Sequence, residues 1–271
     1  MATTQIVSAE KRQLKNHANS AQVMSNSLTM AYRGLLKFRR TPEQFFDVTL
    51  QPILFTSMFV VIFGGAIAGN VHNYLPTLIP GILVQTVVTA SLVTGVQLRE
   101  DMDKGVFNRF KSLPIARIAP LAGALLADTV RYAIAVTLTF GMGYLLGWRP
   151  EDGISGVFAS GLLVIFFAWC ISWIFAFFGV TARSAAGVQG VSILILFPLT
   201  FLSNAFVPVA TMPHWLRPFV NANPVSLLIG AVRQLASAGT IGHDFWFSLL
   251  GALVIVLIFA PLTVRAYMSK A

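Results

Sequence analysis

Between Val48 and Leu98 the chain carries no Asp, Glu, Lys or Arg, and few folds accommodate so long an uncharged apolar stretch. A helix crosses the roughly 30 Å hydrocarbon layer with about 20 apolar residues, so this run has room for two spans. The turn-like GNVHNYLP, Gly69 to Pro76, is read as the break between them. The pattern recurs downstream, and six spans are expected, over about 48–69, 76–98, 119–147, 154–181, 187–206 and 245–265. Strands of a membrane barrel would appear as alternating segments of about ten residues, and these runs do not alternate. Composition agrees: 56% hydrophobic and 11% charged residues are far from the roughly one quarter charged of soluble domains. The fold class expected is an all-α integral membrane protein with a transmembrane domain over about 45–268.

Charge gives the orientation. Lys11, Arg12, Lys15, Arg33, Lys37, Arg39 and Arg40 precede the first span, and Arg99, Lys104, Arg109, Lys111 and Arg117 lie between the second and third. Arg183, Arg265 and Lys270 fall on the same side, whereas Arg149, Arg217 and Arg233 fall on the other. Lys and Arg accumulate in cytoplasmic loops, so both termini are expected in the cytoplasm of a multi-pass protein of the cell membrane. The formal charge of +9 then reads as topology and affinity for anionic lipid, and a nucleic-acid partner is not expected. The polar first residues show no apolar core followed by a cleavage site, so no cleaved signal peptide is expected; residues 1–22 read as a disordered cytoplasmic tail. The single Cys170, within the fourth span, reads as a small buried apolar residue.

Three segments depart from plain spans. The loop Arg99 to Arg117 places Met102, Val106, Phe110 and Leu113 near one helical face with Phe107 beside them, and Asp101, Lys104, Asn108, Lys111 and Ser112 on the other. An amphipathic helix over about 100–113, ended by Leu113-Pro114, follows. One reading rests it on lipid headgroups. The other makes it a docking helix, with Phe107 and Phe110 as apolar anchors and Asp103, Lys104 and Arg109 as a charged rim.

A second amphipathic helix is expected over about 23–40, with Met24, Leu28, Ala31, Tyr32, Leu35 and Leu36 set against Arg33 and Lys37. It would lie in the membrane interface, and Thr41-Pro42 would open the first span as N-cap and first helical residue. The third segment, about 207–238, contains Pro208, Pro213 and Pro218, which no uninterrupted helix accepts. Asn223-Pro224 then opens a helix of about twelve residues with an apolar stripe Val225, Leu228, Ile229, Val232 and Leu235. Too short to span, it reads as a re-entrant element at the outer end, where non-helical backbone needs protein cover or a wet cavity.

Chemistry-bearing motifs are sparse. There is no G-x-x-x-x-G-K-[ST] loop to cradle nucleotide phosphates, no H-E-x-x-H and no G-x-S-x-G. His17, His72, His214 and His243 are too scattered for a metal site, so no metal and no cofactor is expected on this chain. Asp128 and Arg131 lie three residues apart inside the third span. They are neighbours on one helix face, read as a structural ion pair, with a proton or substrate site as the other possibility.

The FNRFKSLPIAR pattern, the PVATMPHWLRPFVNANPVSLLIGAVRQL segment and the amphipathic N-terminal helix together resemble the membrane subunit of a type-2 ABC exporter, nearest the daunorubicin-resistance permease group. The resemblance covers the chain from about Tyr32, most specifically at Phe110-Lys111-Ser112-Leu113-Pro114, Pro213-x-Trp215-Leu216 and Asn223-Pro224 with Arg233. It implies that the loop after the second span holds a coupling helix seated in a separate ATP-hydrolysing subunit, where ATP and Mg are bound. It further implies that two permease copies or paralogues form a pathway for a hydrophobic or amphipathic drug or lipid, so the chain is not itself an enzyme. Polysaccharide export by such a permease is an alternative, disfavoured by the scarcity of polar side chains in the spans. Ion-coupled secondary transport is the alternative of another class, and Asp128 is the carboxylate it would use.

Overall fold

The computed structural model describes residues 20–68, 71–106 and 115–270, and among them every regular element is a helix, without strands. The helices are α1 (Ser20–Arg40), α2 (Pro42–Ala68), α3 (Val71–Ala90), α4 (Leu92–Asp103), α5 (Ala119–Leu145) and α6 (Gly153–Thr181). After them come α7 (Ala185–Phe201), a 3-10 turn (Val209–Thr211), α8 (Arg217–Ala222), α9 (Pro224–Ala238) and α10 (His243–Lys270).

Among the described residues four helical rods are long and apolar enough to cross a bilayer: Tyr74–Asp103, α5, α6 and α10. The apolar part of α2, Val48–Ile62, and the 17-residue α7 are shorter. The first rod joins α3 and α4 through a break at Ser91, whose amide reaches the carbonyls of both Val87 and Val88 at 3.2 Å while its hydroxyl donates back to Val88 at 2.5 Å. Satisfying these groups locally is what lets a helix bend in an apolar medium.

Amphipathicity explains α1. Ser27, Ala31 and Phe38 are buried against the bundle, chiefly on α5, and Met24, Leu28 and Tyr32 remain exposed. Thr41 separates α1 from α2 as expected, but its hydroxyl donates backward to the Lys37 carbonyl at 2.9 Å, closing α1. The main apolar core joins Leu78, Ile79 and Ile82 of α3, Tyr132 of α5, Phe167 and Phe175 of α6, and the whole stripe Val225, Leu228, Ile229, Val232 and Leu235 of α9. The short helix is thus a central packing element. A second cluster, Leu98, Leu121, Leu125, Ala176, Val180 and Tyr267, fills the opposite end of the bundle.

Several boundaries differ from expectation. Residues 71–75 are already helical, so the break before the second span is shorter than GNVHNYLP. Residues 100–103, expected to open an amphipathic loop helix, are the last turn of α4, because Glu100 and Arg99 pair at i,i+4 with Lys104 and Asp103 and prolong the helix. The chain turns at Gly105, whose φ of 66° suits glycine. The fifth apolar run stops at Phe201 rather than about 206, one turn after Pro198. The helix after Asn223 has 15 residues rather than about twelve and ends on Gly239 in the left-handed region.

Candidate functional site

At the end of the bundle where α3 begins, residues 202–208 leave α7 without regular structure. Their backbone polar groups have to find partners elsewhere. Asn223 supplies two: its Nδ2 donates to the carbonyls of Leu199 and Leu202, each at 2.8 Å, while its Oδ1 accepts from the Val225 amide at 2.9 Å. One buried amide therefore caps the C-terminus of α7 and the N-terminus of α9 together. Arg233, three turns along α9, donates to the Asn204 carbonyl at 2.7 Å and to the Thr77 carbonyl of α3 at 2.8 Å. Tyr74 donates its hydroxyl to the Phe206 carbonyl at 2.8 Å. Gly81 lets the irregular segment 202–208 lie directly on α3, since a Cβ there would collide with the Ala205 carbonyl. Pro224 opens α9 at its first position, where no amide hydrogen is missed. Pro213 begins a tight turn closed by the Leu216 amide on the Pro213 carbonyl at 3.0 Å, and Trp215 is 71% exposed. The sequence-selected residues of this segment thus divide: Asn223, Pro224 and Arg233 belong to the clasp, and Pro213 and Trp215 stand on the surface. Tyr74 and Gly81 carried no sequence signal of their own, because only the fold brings α3 to them.

About a third of the way along α5, Asp128 and Arg131 form an ion pair, each side chain only 4% exposed. Asp128 also accepts from the Thr94 hydroxyl of α4, and Thr94 lies 3.4 Å from the Tyr132 hydroxyl. The pair faces the bundle and joins α4 to α5. It lines the inner wall of an open cleft between α1, α4 and α5, together with Arg33, Lys37 and Asp101.

The basic end gathers the C-termini of four helices. Arg99 of α4 donates to the Ala182 carbonyl just past α6 at 2.8 Å and to Asp103 at 2.9 Å. Lys270 of α10 donates to the Val180 carbonyl at 2.6 Å. Lys37 of α1 pairs with Asp101 at 2.9 Å. Cations on exposed C-terminal carbonyls satisfy orphan acceptors and complement the helix dipole. Asp103 and Lys104 end α4 as members of local pairs. Phe107, Arg109, Phe110 and Leu113 lie outside the described residues.

A family model described as the ABC-2 type transporter matches residues 26–236. The chain belongs to that membrane-protein family. It is 42% identical over 251 residues, 92% of this chain and 88% of the relative, to the daunorubicin resistance ABC transporter permease protein DrrB1 of Streptomyces coeruleorubidus. The probable doxorubicin resistance ABC transporter permease protein DrrC of Mycobacterium tuberculosis is 24% identical over 88% of this chain and 87% of its own length. The putative transport permease ycf38 of Cyanophora paradoxa is 28% identical over 79% of this chain and 73% of its own. An ABC-2 permease is a transport subunit, and its apolar helices make it a multi-pass membrane protein.

Proposed function

We propose that this chain is the permease subunit of an ATP-driven exporter that moves a hydrophobic or amphipathic compound, a drug or a lipid, across the cytoplasmic membrane. The observation that carries the reading is the 42% identity over 92% of the chain with a daunorubicin-resistance permease. The sequence contains no phosphate loop, so ATP and Mg belong to a separate subunit. Docking falls to the loop after α4, where Asp103 and Lys104 start the segment that Phe107, Arg109, Phe110 and Leu113 complete. Two permease copies or paralogues enclose the pathway.

In this reading α2 and α7 complete a set of six spans, with α1 in the inner membrane interface and residues 207–238 re-entering from the outer side. The exposed Met24, Leu28 and Tyr32 on α1 support its placement in the interface. The convergence of Lys37, Arg99 and Lys270 at one end supports a cytoplasmic location for that end and both termini. The clasp around residues 202–208 gives the re-entrant backbone the protein cover it needs.

Docking is tested by co-purifying the ATPase subunit with wild type and with Phe110→Asp. Removing one aromatic anchor and burying a carboxylate is expected to weaken association by at least about tenfold. Undiminished association and coupled ATP hydrolysis would refute it.

A further inference from the structure

The last two turns of α4 are held against α6 at two heights. At Gly95 the backbones touch: a Cβ there would collide with the Phe175 carbonyl, and a Cβ on Gly179 would collide with the Gly95 carbonyl. The contact is backbone to backbone, and just beside it Leu98 of α4 shares a buried cluster with Ala176 and Val180 of α6, so the dense packing at this crossing passes strain from one helix to the other. One turn nearer the basic end, Arg99 joins the same two helices through hydrogen bonds. Its Nη1 donates to Ala182 at 2.8 Å, while Nε and Nη2 both serve Asp103, at 2.9 Å for Nε. The guanidinium side chain is only 16% exposed. Two turns beyond the crossing, Lys104 and Gly105 lead into the docking loop.

We propose that Arg99 is the positioning residue that passes displacement of the docking loop into α6. The inference rests on the reading that the ATPase subunit seats on that loop. The glycine crossing is the fulcrum, the Asp103 end of α4 is the driven arm, and the Arg99 bond to Ala182 draws the end of α6 along with it. The planar fork is needed because separate nitrogens serve the two acceptors; a lysine has a single nitrogen for both. Lys270 binds the Val180 carbonyl, so the end of α10 moves with α6 as one unit.

The test uses the permease reconstituted with its ATPase subunit in lipid vesicles, measuring fluorescent cargo exported per ATP hydrolysed, subunit association and thermal stability. For Arg99→Gln the ratio of cargo to ATP is expected to fall about tenfold, the factor for one charge-assisted hydrogen bond, with subunit association retained. Arg99→Lys keeps the charge and is expected to stay at least about threefold below wild type. Arg183→Gln, an exposed cation one residue beyond Ala182, is expected to match wild type. A ratio unchanged in Arg99→Gln, full rescue by Arg99→Lys, or parallel loss of every activity with stability would each overturn the proposal. If Phe110→Asp leaves association intact, the docking reading fails instead, and the two failures are distinguishable because Arg99 variants are judged by ratio and Phe110→Asp by association.

Discussion

Asn223 and Leu202 are joined by a 2.8 Å hydrogen bond from the side-chain amide to the backbone carbonyl, and with its two companion bonds this couples the end of one helix to the start of another. Replacing Asn223 by Ala removes the α9 cap, worth about 1 kcal/mol, and leaves two carbonyls unmatched at up to about 1–3 kcal/mol each. We expect a loss of about 2–4 kcal/mol. Asn223→Asp keeps the capping oxygen, loses both donors and is expected to be no better than Ala. Reversible unfolding in mixed micelles checks this; an Asp variant as stable as wild type would mean that the donors contribute nothing.

The ion pair at Asp128 has a different signature. Asp128→Asn alone leaves the buried Arg131 guanidinium without its counter-charge, which costs about 3–5 kcal/mol. Asp128→Leu with Arg131→Met removes both charges and is expected to recover most of that loss. If the double variant folds and still exports cargo, the pair is structural; if it folds and loses export while ATP hydrolysis continues, the pair serves transport.

Lys37 and Asp101 form an ion pair of similar chemistry, but their side chains are 34% and 27% exposed. Water and salt screen such a pair, so Lys37→Ala is expected to change stability by less than about 1 kcal/mol. A melting-temperature comparison of Lys37→Ala with Asp128→Asn measures the contrast, and equal shifts would contradict the burial argument.

Gly81 lies where the irregular segment 202–208 meets α3. A valine there displaces the Ala205 carbonyl and takes the Tyr74 and Arg233 bonds with it. We expect at least about 3 kcal/mol of destabilisation, read as loss of folded protein after heating in detergent. Wild-type recovery would place that segment elsewhere.

Much of this architecture was legible in the sequence because bilayer thickness converts apolar run length into helices: α5 and α6 begin and end within about two residues of their expected limits. The Asn223 cap and the α9 stripe were legible because both are local patterns of spacing. Long-range partners were not. Arg99 reads as one loop charge among several until α6 is brought to it, and Tyr74 is only one residue of the turn-like GNVHNYLP until Phe206 returns to α3. Residues 100–103 end α4 instead of opening the amphipathic loop helix because charged pairs at i,i+4 extend α4 to Asp103, and hydropathy does not register that stabilisation.

The most direct test of the proposed function is uptake of a fluorescent hydrophobic compound by inside-out vesicles holding the permease with or without its ATPase subunit. Uptake is expected to need both ATP and the ATPase subunit and to persist when the proton gradient is collapsed. Uptake driven by an imposed proton gradient without ATP, and lost in Asp128→Asn, would contradict it.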